Sequence, residues 1–157
     1  MKCSGQWGID MAKIILKDIS YRSDEFSVQA IVRRGITVIG GDSSTFKSYY
    51  YALMQNEALI SNDDRFVFMN YAYKDIKKLT SGEIHDKVVF IDNADIIIPE
   101  DKRIRDFFAN SDNQYVILGR DVGRYSYSLD DWAVLIQRGS SVVELSYVIK
   151  EAGKLWQ

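Results

Sequence analysis

Four short, almost wholly apolar runs constrain this chain most: "ITVI" at 36–39, "FVFM" at 66–69, "VVFI" at 88–91 and "YVIL" at 115–118. A strand that is apolar at every position must be covered on both faces, as in a parallel sheet, whereas a half-exposed antiparallel strand alternates. The segments between the runs are therefore expected to supply helices.

In "TFKSYYYALMQNEAL", Tyr50, Leu53 and Met54 share one helical face, and Ser/Thr residues stand before it to cap. In "PEDKRIRDFFAN", Pro99 and acidic residues open a second helix, Ile104, Phe107 and Phe108 give its apolar face, and Asn110 ends it. The flanks read differently. "FSVQAIV" at 26–32 puts Phe26, Val28, Ala30 and Val32 on one face, and "VVELSYVI" at 142–149 does the same with Val143, Leu145, Tyr147 and Ile149. Both are expected as half-exposed strands. With one proline and no repeat or low-complexity tract, residues 1–157 read as a single α/β domain with antiparallel N- and C-terminal additions.

Composition narrows the function. A domain of 157 residues buries roughly 70% of its unfolded surface. Twenty basic residues balance 22 acidic ones, a net charge of -2, so nothing marks the chain for nucleic acid or anionic lipid. Cys3 is the only cysteine and His85 the only histidine, which removes an internal disulfide and structural zinc. No apolar run approaches the ~18 residues of a membrane span, and the N-terminus lacks the apolar stretch of a secretory signal. A cytoplasmic address is expected.

The chemistry gathers after the first apolar run. Gly41 is followed by Asp42, Ser43, Ser44 and Thr45, then Phe46, Lys47 and Ser48, with a strand before and a helix after. The phosphate-binding loop pattern is glycine, four residues, then Gly-Lys-Ser/Thr, and only the second glycine is missing. Such a loop converges backbone N–H groups on phosphate at a helix N-terminus, while the lysine reaches the outer phosphates and the hydroxyl binds magnesium. A second motif, "KVVFIDNAD" at 87–95, is an apolar strand ending in Asp92, where an acid can hold magnesium through water. The plain structural alternatives are a tight turn at Gly40 and Gly41, a capped helix, a solvated Lys47 and a turn-capping Asp92.

From about Lys13 to Arg120 the chain resembles a P-loop NTPase core of the ABC/AAA type. The stretch "IILKDISYRSDEFSVQAIVRRGITVIGG" is similar to the antiparallel strands that lead into an ABC-type loop. The resemblance implies a three-layer fold with a mainly parallel central sheet and antiparallel N- and C-terminal strands. It makes Gly41–Ser48, with the adjoining Tyr49, the nucleotide loop, Lys47 the phosphate lysine, and Ser48 with Asp92 the magnesium pair for ATP or GTP. It also puts Tyr21 where an adenine-stacking aromatic stands and Arg120 where a phosphate sensor stands.

The pattern departs from the family at two points. Phe46 replaces a glycine that lets backbone approach phosphate, either straining the loop or filling the phosphate's space. Asn93 replaces a catalytic glutamate, and an amide cannot accept water's proton. Asp95 stands close enough to substitute, with a surface cap as its structural alternative. "LTSGE" at 79–83 resembles the ABC signature but leaves no room for a following helix, so it is expected as a turn. The expectation is a magnesium-dependent nucleotide-binding protein with weak or absent hydrolysis that regulates a protein partner or a second copy. The alternatives are a pseudo-NTPase interaction module and an ATPase completed in trans.

Overall fold

The computed structural model describes residues 12–41, 46–70 and 73–150. The loop positions Asp42, Ser43, Ser44 and Thr45, and Cys3 with the rest of the N-terminal segment, lie outside these.

The four apolar runs form adjacent strands: β3 (Ile36–Ile39), β4 (Phe66–Met69), β5 (Val88–Ile91) and β6 (Gln114–Leu118). Two short N-terminal strands, β1 (Tyr21–Arg22) and β2 (Ser27–Gln29), and a C-terminal pair, β7 (Trp132–Gln137) and β8 (Val142–Tyr147), extend them. The eight strands make one sheet in the order β1-β2-β8-β7-β3-β6-β5-β4. All neighbours are parallel except β1–β2 and β7–β8, and the sheet curls into a half-barrel.

Every residue of β3, β5 and β6 is buried, for the reason the apolar runs implied. On one face Ile36, Val38, Val89, Ile91, Tyr115 and Ile117 join a core with Ile76, Ile97, Ile104 and Phe108. On the other, Ile39, Val88, Phe90, Val116 and Leu118 pack against Tyr50, Tyr51 and Met54. Helices therefore cover both faces: α1 (Lys47–Ser61) one, and α2 (Tyr73–Thr80), α3 (Ala94–Ile97) and α4 (Arg103–Asn110) the other, with α5 (Val122–Tyr125) beside them.

The flanking strands alternate as their sequences require, with Val28, Ala30 and Val32 buried while Gln29 and Ile31 face outward, and Val143 and Leu145 buried in β8. Only residues 27–29 of the expected 26–32 run pair as a strand, because Ile31 turns aside to a lone bridge with Asp18. α4 begins at Arg103, later than Pro99 suggests, and Asp101 caps its approach by accepting from the Arg103 N–H at 2.9 Å. "LTSGE" is the end of α2 and a turn, with Gly82 at φ 84. No helix among the described residues is long and apolar enough to cross a membrane.

Candidate functional site

Strand order creates the site. From β3 the chain runs through α1 to β4 at one edge of the sheet, whereas from β6 it passes through α5 to β7 on the far side of β3. The connections leaving the carboxyl ends of neighbouring β3 and β6 thus diverge, and a crevice opens between them where parallel sheets bind ligands. A cleft of about 650 Å³ lies there, within the range of small-molecule sites. Lys47 and Ser48 reach it from the start of α1, Asp92 and Asp95 from the end of β5, and Arg120 and Arg124 from the end of β6.

The turn out of β3 is built on glycine for packing and for conformation. A Cβ on Gly40 would lie 2.4 Å from Trp132 Nε1, and Gly41 has φ 106. The Gly40 N–H donates to Ala133 O at 2.8 Å, which fixes the turn to β7. Lys47 Nζ donates to Gly41 O at 2.6 Å, so the ammonium folds back to the end of the turn out of β3.

Phe46 adopts φ 66 and ψ 5, the left-handed conformation that glycine takes without steric cost. Its ring does not line the cleft. It packs half-buried on the α1 face of the sheet, with its centroid 6.5 Å from that of Phe26. Of the two consequences the sequence left open, the backbone geometry is that of strain, and the ring stands clear of the crevice. Tyr49 also leaves the cleft and packs on Phe26 at 5.5 Å, half of its surface exposed. Tyr21 lies in β1 against the same apolar cluster, away from the crevice.

At the end of β5, the Asp92 N–H donates to Met69 O at 2.9 Å, and the nearly buried Asp92 carboxylate accepts from the Asn93 N–H. Asn93 takes φ 53, a left-handed conformation asparagine tolerates, and its amide donates to Asn70 Oδ1 at 2.8 Å. Asp95 is engaged by three groups. The Tyr125 hydroxyl donates to it, the Arg120 N–H donates at 3.1 Å, and Arg124 Nη1 stands 3.7 Å away. Burial, and then the Asp95 carboxylate, push the Tyr125 phenol far above its ordinary value, so it remains a donor.

Sequence reasoning found Lys47, Ser48, Asp92, Asp95 and Arg120, and the fold brings all five to one cleft. It missed Arg124, although Asp121 marks a helix start three residues before it. The Asp121 carboxylate caps α5 by accepting from the Gly123 N–H at 3.0 Å, and one helical turn then places Arg124 beside Asp95. Comparisons with models of protein families, with curated proteins and with solved structures gave no match.

Proposed function

We propose that this protein binds a magnesium nucleotide, ATP or GTP, through a P-loop-like site and hydrolyses it weakly or not at all. The observation that carries the reading is the convergence of Lys47 and Ser48 from one side of β6 and Asp92 from the other on a single cleft. Lys47 would bind the outer phosphates once its ammonium exchanges the Gly41 carbonyl for phosphate oxygen. A hydroxyl and a nearly buried carboxylate are hard oxygen donors suited to magnesium, so Ser48 and Asp92 would hold the ion. Magnesium there would neutralise charge on the phosphates.

Weak turnover follows from what flanks Asp92. Asn93 cannot take water's proton and is committed to Asn70, while Asp95 already accepts from Tyr125 and Arg120. The strained Phe46 tolerates binding because its ring packs elsewhere.

Thermal unfolding with Mg-ATP, Mg-GTP and the diphosphates tests the reading. Ligand at a hundredfold over its dissociation constant adds ~2.7 kcal/mol, which moves the midpoint of a domain this size by several degrees. Lys47→Ala should abolish the shift. A wild-type midpoint unmoved by millimolar nucleotide refutes nucleotide binding and leaves an interaction module with the architecture of a P-loop site.

A further inference from the structure

We propose that two copies of this chain join edge to edge through β4, antiparallel about a twofold axis at Val67, to make one continuous sheet. Among the described residues β4 is the outer strand, four residues long and apolar throughout. Two hydrogen bonds settle its inner side: the Val88 N–H donates to Arg65 O at 2.8 Å, and the Asp92 N–H donates to Met69 O at 2.9 Å. Main-chain groups alternate in direction along a strand, so those of Arg65, Val67 and Met69 face β5, while the N–H and C=O of Phe66 and Phe68 face away from the sheet. Such an open row is a template for another strand.

Sheets guard their edges with very short strands, charged side chains, proline or bulges. The opposite edge, β1, has only two residues, and one of them is Arg22, paired with Asp18 at 3.0 Å. β4 holds neither charge nor proline, and Arg65 just before it is folded onto Asp63 of its own chain at 2.6 Å. Beside this edge, Ala52, Gln55, Asn56 and Leu59 stand at helical spacing on α1 and wall a cleft of about 610 Å³ that Phe66 and Phe68 also line. Leu59 is 77% exposed there.

A second β4 fits this edge because the strand is complementary to itself. About an axis at Val67, Phe66 lies opposite Phe68 of the second copy, and each such pair exchanges both of its N–H···O=C bonds, so the outward groups of both residues are satisfied. The same register sets Arg65 against Met69 and Asp64 against Asn70, so no like charges oppose each other. Moving the axis to Phe66 would set Asp64 against Phe68, and moving it to Arg65 would set two arginines together. Phe66 and Phe68 stack with centroids 5.9 Å apart on the α1 face. Opposed residues point to the same face of a sheet, so the rings of both copies gather over the axis between the two α1 helices. The contact uses the same surface on both copies and therefore closes at two.

Sedimentation equilibrium and amide hydrogen exchange of the full chain test this. The wild type should form a dimer and nothing larger, and the Phe66 and Phe68 N–H groups should exchange more slowly as the dimer fraction rises, since pairing at this edge gives them acceptors. Leu59→Lys changes an exposed position and leaves the fold intact; it should raise the dissociation constant of the dimer at least about tenfold, as loss of a buried apolar side chain does. Phe66→Lys should give a monomer, and if it does not fold, Leu59→Lys carries the test alone. The proposal is overturned by a chain that stays monomeric to millimolar concentration, or by a dimer whose Phe66 and Phe68 amides exchange as fast as in the monomer. A Leu59→Lys dimer as tight as the wild type overturns it too, as do species larger than two, which would mean that β4 pairs with a different edge.

Discussion

Replacing Phe46 with glycine tests how the loop joins α1. Four effects compete. Glycine relieves a left-handed conformation at φ 66, worth ~1–2 kcal/mol. Against this, the half-buried ring forfeits about half of the roughly 1.5–3 kcal/mol that full burial supplies. The contact with Phe26 at 6.5 Å accounts for a further ~0.5–1.5 kcal/mol. Glycine also loosens the unfolded chain by ~0.4–1 kcal/mol. Loss exceeds relief by about 1 kcal/mol, so Phe46→Gly should unfold ~2–4 °C below the wild type. Nucleotide affinity, read by calorimetry, should change less than about threefold, because the ring lies outside the cleft. A tenfold gain in affinity would show that the ring occupies the phosphate's place. A higher unfolding temperature would show that strain, rather than packing, dominates at this position.

Tyr125→Phe removes one hydroxyl donor to Asp95 from a fully buried position; the loss should be about 2 kcal/mol, and an unfolding midpoint within 1 °C of wild type refutes it. Gly35→Ala would put a Cβ 2.1 Å from Ala12 O, a backbone atom that cannot swing away. It should therefore expose the Ala12 amide, now bonded to Ala109 O, to rapid hydrogen exchange, and unchanged protection would contradict the packing described. The Arg103 side chain lowers the Asp101 carboxyl from 3.8 to about 2. A lowered folded value stabilises above the unfolded value and loses that contribution as pH falls through the folded one. Carbon-detected titration should therefore give a midpoint of about 2 for Asp101 and a higher one in Arg103→Ala, which loses the side-chain donor but keeps the backbone N–H, whereas an ordinary midpoint in the wild type removes the proposed pairing.

β3, β5 and β6 were legible because their runs are apolar at nearly every position and every residue in them is buried, whereas β4 reads the same way and is only partly buried at Phe66, Val67 and Phe68. β7 is also apolar from Trp132 to Ile136 but buries only alternate residues, Ala133 and Leu135, and nothing in those residues says that they lie beside β3. α2 was hidden by its polarity, with Ile76 and Leu79 as its buried anchors. At the site, the residue types after β3 and β5 announced themselves through spacing. The engagement of Asp95 did not, since Tyr125 is distant in the chain and meets it only because β5 and β6 are neighbours. The direction of the Phe46 ring was equally unreadable, being set by Phe26 on the segment between β1 and β2.

The placement of β3 has a consequence for how the protein is made. β3 is flanked by β6 and β7, and Ser27 of β2 pairs with Val142 of β8. β1 and β2 can pair with each other at once, but β2 waits for β8 and β3 for β6 and β7, a pattern of distant pairings that slows folding. The Gly40 N–H in particular finds its acceptor only when Ala133 arrives. A nascent chain ending at Leu118 would hold Lys47, Ser48 and Asp92 and yet lack the strand that braces their loop. Such a fragment is expected to bind no nucleotide, so ligand capture would be confined to chains whose synthesis has passed β7.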